Sequence, residues 1–335
     1  MRRLRRRVLS AHRTESVKYV IVPTKSKVSD LHAAALKLDA RHKELSDRVA
    51  RLAGQEGINL TGFAPLAISR AGQPSIGMPA VCQPSVCIVV QGRKSARLGE
   101  EVFYYDPLNY LVVSVTLPVV GQVIEATPEH PYLCIRINLD AEEIGRMLLE
   151  LKQQPSAPSA ADRGLFVARV GEPLLDAVLR LVRLLDTPAD LPVLAPIALR
   201  EIYYRLLTGE LGHRLIDLAE SGGNAHRIAR AIDWLKQHYA APLRIEDLAA
   251  VVHMSPSALH HRFKAVSGMS PLQFQKQLRL HEARRLMFAD GLECAAAGHR
   301  VGYESPSQFS REYRRLFGAP PRQEIAKLRE AGQAA

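Results

Sequence analysis

Between about Ile58 and Asp140 the apolar positions come in short runs, "SVCIVVQGRKSARLGEEVFYYD", "NYLVVSVTLPVVGQVIEA" and "PYLCIRINLD", punctuated by Gly, Pro and Asn. No helical period separates these runs, and strands at this spacing predict a small barrel or sandwich. Gly99, lying between two runs, marks the expected hairpin. The period then changes. "AEEIGRMLLELKQQ" is helical, and "QPSAPSAAD" (154–162) is a linker without periodicity. "EPLLDAVLRLVRLLD" sets Leu174, Leu175, Val178, Leu181, Val182 and Leu185 at i, i+3, i+4 spacing, which predicts an amphipathic helix. "APIALREIYYRLLTGEL" predicts a second, and "ESGGN" (220–224) closes the region.

Beyond it the chain repeats itself. "SPSALHHRFKAVSGMSP" (255–271) and "SPSQFSREYRRLFGAPP" (305–321) align with Ser255 on Ser305, Pro256 on Pro306, Ser257 on Ser307, Gly268 on Gly318 and Pro271 on Pro321. Ser255 and Ser305 are expected helix N-caps with Pro at the first helical position. Gly268 and Gly318 are expected C-caps. Leu259 with Phe263, and Phe309 with Tyr313, form inward stripes at a spacing of four. A shorter helix precedes each copy, in "RIEDLAAVVHM" and "LECAAAGHRVGY". Short helix, tight turn and second helix is the helix-turn-helix plan, whose second helix enters the major groove. The joining segment "PLQFQKQLRLHEARRLMF" (271–288) predicts a helix of roughly 27 Å. That suits two readers coupled across successive grooves about 34 Å apart.

Charge supports a polyanionic partner. Residues 1–46 hold 12 Lys and Arg against 4 Asp and Glu, and residues 224–335 hold 17 against 10. The intervening 47–223 hold 16 against 20, so two basic ends flank a mildly acidic centre. No apolar run approaches the roughly 18 residues of a membrane span. The arginines of "MRRLRRRVLS" are followed by no apolar signal core. Four cysteines are too few for a disulfide scaffold, so a reducing cytoplasm is the expected compartment. The first arginines are expected to add sequence-blind affinity for nucleic acid.

Residues 224–325, through "LAAVVHMSPSALHHRFK", "RLHEARRLM" and "VGYESPSQFSREYRRLFGAPP", closely resemble the DNA-binding domain of AraC/XylS-type transcription regulators. The blocks "VVQGRK" and "YLVVSVTLPVVGQV" resemble that family's N-terminal sensor of cupin type. One departure stands out: Gly298-His299 occupies the first helix of the second motif, where the family usually has Ala and a large apolar residue. A polar His there is expected to loosen the second reader. The resemblance implies an α+β multidomain chain, with an N-terminal cupin-like β-barrel or sandwich and a C-terminal all-α domain of two helix-turn-helix motifs joined by a long helix. The expected divisions are a basic, flexible or partly helical extension (1–46), the sensor (47–151), a linker with helices for dimerisation or relay (152–223), the reader (224–326) and a tail (327–335). The implied function is a ligand-responsive transcription regulator, with double-stranded DNA, a small-molecule effector and RNA polymerase as partners and a homodimer possible. Recruitment of polymerase and repression by occlusion are both compatible with it.

On the recognition helices, the outward positions expected to touch DNA are Ser257, Ala258, His260, His261 and Lys264, then Ser307, Gln308, Ser310, Arg311 and Arg314. Gln308 suits adenine and Arg311 guanine, while Lys264 and Arg314 suit phosphate. His260 and His261 point about 100° apart on a helix and cannot share one metal ion. His130 is the sole histidine between 47 and 150, so the His-x-His set of metal-dependent cupins is missing; neither metal nor cofactor is expected. Cys87 and Cys134 read first as small buried hydrophobes. The sharper reading makes them effector or redox contacts, Cys87 acting with Cys82 as a reactive thiolate. No Walker A loop, dinucleotide fingerprint or nucleophile elbow occurs. Two rivals remain open on these residues: a metal-free cupin enzyme tethered to DNA, and a non-specific nucleoid protein using both basic ends.

Overall fold

The computed structural model describes residues 40–107, 109–151, 163–219 and 224–333. The linker at 154–162 and the arginines at the start of the chain lie outside them. The described chain begins with helix α1 (40–52), which crosses the division drawn at 46. Leu45, Val49 and Ala53 recur on one face and are buried.

Ten strands follow the β-rich reading: β1 (Gly57–Leu60), β2 (Leu66–Ala71), β3 (Met78–Cys82), β4 (Ser85–Gln91), β5 (Arg93–Leu98), β6 (Glu101–Tyr105), β7 (Asn109–Val113), β8 (Leu117–Glu125), β9 (Tyr132–Asn138) and β10 (Leu165–Arg169). They form a six-stranded sheet ordered β1-β2-β9-β4-β7-β10 and a four-stranded sheet ordered β3-β8-β5-β6, every pairing antiparallel. The inner faces meet as a sandwich, with Val89, Leu111, Val113, Tyr132 and Cys134 packing toward Ala96, Leu98, Tyr105, Val119 and Val123. The hairpin expected at Gly99 joins β5 to β6: Leu98 pairs with Glu101, and Gly99 takes a φ of +60°.

Strand β10 falls inside the stretch read as linker and relay helices, yet it returns to pair with β7 along its whole length. Five residues isolated between the linker and the Gly171-Glu172-Pro173 turn carry too little periodicity to announce a strand. Four helices belong to this half: α2 (Ala141–Leu151), α3 (Glu172–Leu184), α4 (Leu191–Leu207) and α5 (Gly212–Ala219). On α4, the Tyr203 hydroxyl donates to the carbonyl of Asn138 at 2.7 Å and accepts from the amide of Asp140 at 3.2 Å, which ties the helix to the end of β9. Helix α1 rests on α3 through ion pairs, Arg41 with Asp176 at 3.0 Å and Glu44 with Arg183 at 2.6 Å.

The C-terminal half is helical: α6 (Asn224–Gln237), α7 (Ile245–Val251), α8 (Pro256–Ser267), α9 (Pro271–Ala289), α10 (Cys294–Arg300), α11 (Pro306–Phe317) and α12 (Pro321–Gln333). The expected caps form. Ser255 accepts from the amide of Ala258 and Ser305 from that of Gln308, each at 3.3 Å. Gly268 and Gly318 close α8 and α11 at φ of 73° and 82°. The Gly298-His299 departure behaves differently from the expectation. His299 is exposed, so nothing polar enters the core. A Cβ at Gly298 would lie 3.0 Å from the Phe309 ring, so the glycine lets α10 close onto a fully buried Phe309.

Helix α9 belongs to two cores. Its first half, with Phe274 and Leu278, joins Ile232, Leu235, Leu248, Phe263 and Val266 in a cluster continuous with the interior of the sandwich. Its second half, with Leu280, Ala283 and Met287, builds a separate core with Phe309 and Tyr313. Phe263 meets Phe274 edge-on at 5.3 Å. Because sandwich and first motif share one core, Phe263→Ala should cost about 3–5 kcal/mol. It should lower β-sheet and helical signals in one denaturant transition; a sheet signal that keeps its midpoint would show two independent units.

Candidate nucleic-acid interface and sandwich interior

The caps and the inward stripe together set which face of each recognition helix looks out. On α8, Leu259, Phe263 and Val266 are buried, leaving Ser257, His260, His261 and Lys264 exposed and Ala258 half-buried. On α11, Phe309 and Tyr313 are buried, leaving Ser307, Gln308, Arg311 and Arg314 exposed. Ser310 is half-buried and leans toward the Cys294 thiol at the start of α10. Gln308 is held in place. Its amide donates to Glu312 at 3.3 Å, and Glu312 also takes the Tyr303 hydroxyl at 2.7 Å and Lys276 at 2.9 Å. Burial works against the Glu312 carboxylate, but these donors hold it below its ordinary range. Among the described residues no group of three His, Cys, Asp or Glu is placed to hold a metal ion, the His260-His261 pair included.

Two arginines that sequence reasoning passed over position these helices. Arg279, midway along α9, donates to the carbonyls of Tyr239 (2.7 Å), Ala240 (3.2 Å) and Ala241 (3.0 Å) after α6, and to Gly302 (2.9 Å) in the turn of the second motif. Gly302 has a φ of +91°, and a Cβ there would meet the Ala240 carbonyl oxygen at 2.1 Å, so only glycine brings the turn in. Arg163, ahead of β10, donates to the carbonyls of Lys264 (3.0 Å) and Ala265 (2.9 Å) at the end of α8 and also to Glu101 on β6. Beside it the β5–β6 turn touches the end of α8: a Cβ on Gly99 would sit 2.8 Å from the Gly268 carbonyl oxygen. Arg163 also borders one open depression with Ser257, His260, His261 and Lys264, so the sandwich half supplies a cation to the rim of the α8 face. Its sequence signal was a lone Arg directly after a stretch of sequence without periodicity, which is no signal at all.

Within the sandwich, cross-strand register decides which residues share the interior. Cys87 on β4 lies opposite Arg136 on β9, and Val89 lies opposite Cys134. Cys87 and Cys134 therefore sit diagonally on one face. A hydrogen bond from Cys134 draws the Cys87 thiol down, aided by the charges of Lys94 and Arg136, while Cys134 is pushed up by that bond and by burial. Burial lifts the Cys82 thiol to about 11, so of the two Cys87 is the one drawn toward the thiolate.

Residues 63–214 match the family model described as the AraC-type transcriptional regulator N-terminus, and residues 248–326 match a helix-turn-helix domain. The HTH-type transcriptional activators RhaS of Salmonella schwarzengrund (strain CVM19633) and of Klebsiella pneumoniae (strain 342) are 29% identical over 164 residues, 49% of this chain and 58% of theirs. The chain thus spans under two thirds of the length of these curated relatives. Among solved structures, ToxT of Vibrio cholerae bound to (E)-4-(8-methylnaphthalen-1-yl)but-3-enoic acid matches with a TM-score of 0.54 and 9% identity, covering 78% of this chain and 97% of that one. Unsaturated fatty acid-bound ToxT matches at 0.52 and 9%, over 78% and 94%. At that identity the likeness is one of fold.

The strut α9 carries a titratable group at its centre. His281 stacks edge-on against Phe317 at 5.3 Å, and burial together with neighbouring Arg284 depresses its pKa to about 4. Unfolding restores a pKa of about 6.5, so between pH 6.5 and 4 the unfolded chain binds a proton that the folded chain refuses. Stability is then full above pH 6.5 and falls on acidification through that window, by up to about 1.4 kcal/mol per pH unit. His281→Gln should flatten the slope of unfolding free energy over this window in denaturant titrations; an unchanged slope would assign it to other groups.

Proposed function

The chain belongs to the AraC-type transcriptional regulators, and from that premise we propose that it is a sequence-specific, ligand-responsive DNA-binding regulator. The observation that carries this is the duplicated, doubly capped helix held on one strut, with a polar and basic face outward in both copies. Helices α8 and α11 enter two adjacent major grooves. Gln308 and Arg311 read base edges, Lys264 and Arg314 hold phosphate, and Ser257, Ala258, His260, His261, Ser307 and Ser310 complete the two contact faces. The sandwich is the cupin-type sensor and takes a small-molecule effector between its sheets, where Cys87 and Cys134 are among the contacts. The fatty acid-bound ToxT structure, which shares this fold, supports a small-molecule ligand. An effector shifts transcription by binding more tightly to one arrangement of sensor and reader, whether polymerase is then recruited or occluded.

Exposed apolar residues on α4, Val193 (66%) and Ile197 (62%), support a second copy of the chain as the homodimer partner. No helix of the described residues is long and apolar enough to cross a membrane, and the cytoplasm is the compartment this reading requires. The rival reading of a metal-free cupin enzyme draws no support from the matched families.

Affinity of the full chain for its own upstream DNA and for scrambled DNA, measured by fluorescence anisotropy across a salt series, tests the assignment. Arg311→Ala should lose about 1–3 kcal/mol on the specific site only and relax one base position. Lys264→Ala should weaken both DNAs alike and reduce the salt slope by about one. Equal wild-type affinity for both DNAs would leave only a non-specific basic binder.

A further inference from the structure

Two cations face the interior of the sandwich without an acidic partner. Arg136 lies on the same side of β9 as the buried Tyr132 and Cys134, flanked across the ladder by Ala67 on β2 and Cys87 on β4, both short side chains. Its Nε is fully buried with no hydrogen-bond partner. Lys94 shares the inner face of β5 with Ala96 and Leu98, and its Nζ lies 5.5 Å from the centre of the Tyr132 ring. The Tyr132 hydroxyl is a third buried polar group without a partner. No ion pair among the described residues involves Lys94 or Arg136; the nearby Arg93, one residue away, points outward and pairs with Glu125 at 3.2 Å.

A guanidinium and an ammonium facing an apolar interior without an acidic partner are destabilising, and an anion taken up beside them would relieve that cost. Solvent reaches this level of the interior, because Cys87, Lys94 and Arg136 all keep accessible surface on the inner face. Around it the lining is apolar: Leu111, Val123 and the two tyrosine rings.

We propose that the sandwich interior is a carboxylate site, with Arg136 as the bidentate partner, Lys94 as the second charge, the Tyr132 hydroxyl as a donor, and the surrounding apolar wall holding the body of a small organic acid. This rests on the reading of the sandwich as the effector domain and narrows the effector to an anion. The planar guanidinium matches a carboxylate in two parallel hydrogen bonds, which a neutral amide cannot reproduce.

The test uses the full chain without DNA and matched pairs of probes, hexanoate with hexanamide and benzoate with benzamide, read by isothermal calorimetry and thermal unfolding. The acids should bind and raise the melting temperature while the amides do neither. Arg136→Gln and Lys94→Gln should each weaken the acids by about tenfold or more. Either variant should also leave the ligand-free chain as stable or more stable, because each removes an unbalanced charge. Should Arg136→Gln fail to fold, Lys94→Gln carries the same comparison from the opposite sheet. Cys87→Ser should leave the acids bound; a large gain in their affinity would instead identify the Cys87 thiolate as the resident counter-ion and overturn the proposal. Equal binding of acid and amide, or no binding of either at millimolar concentration, would also overturn it. Because no DNA is present, loss of the carboxylate site and loss of the regulator reading are separate outcomes.

Discussion

The guanidinium of Arg279 holds the two reading helices in one frame. Four carbonyls converge on it, three from the segment between α6 and α7, ahead of the first motif, and one from Gly302 in the turn of the second. Each of those carbonyls lies past a helix end or in a turn, where no ladder partner is available, so a single side chain satisfies acceptors that would otherwise need water. Gly302 lets the turn approach because a side chain there would strike the Ala240 carbonyl. With α9 built into both cores, the spacing of α8 and α11 is a property of a packed solid rather than of a tether. On the proposed reading, two DNA-contacting helices fixed in register would gain affinity together, since the second would bind without a fresh loss of translational freedom.

The same packing explains why a sensor domain would matter to DNA at all. The first motif shares its core with the sandwich, and the end of α8 is fastened to it by Arg163 and by the contact between Gly99 and Gly268. A ligand entering between the sheets acts on the same cluster of side chains that supports Phe263 and Val266. Close-packed interiors respond by switching between arrangements rather than by yielding gradually. The second motif has its own core and stands one step removed, so on the proposed reading α8 would be the helix that responds most directly to an effector.

Much of this was legible in the residues. The serine caps, the glycine stops, the apolar stripes and the strut all follow from local rules that need only a few neighbouring positions, and the Gly99 hairpin is of the same kind. What escaped was long-range. Strand β10 is defined by its pairing with β7, some fifty residues earlier in sequence. Arg163 and Arg279 act on carbonyls that are distant in the chain and carry no side-chain signature. The Gly298-His299 departure read as a defect because composition does not show which way His299 points; the glycine in fact admits the Phe309 ring. Arg136 could have been found from sequence, as a charge in the alternation of "PYLCIRINLD" on the side of Tyr132 and Cys134. Only the register across β4 and β9 shows that Arg136 is the neighbour of Cys87.

A footprint of the purified chain on the DNA upstream of its own gene, at two salt concentrations and with excess random competitor, would be decisive. A rigid pair of readers predicts two protected major-groove segments on one face of the duplex, about one helical turn apart, both surviving the higher salt. Diffuse protection that vanishes with salt, or a single protected segment, would contradict it.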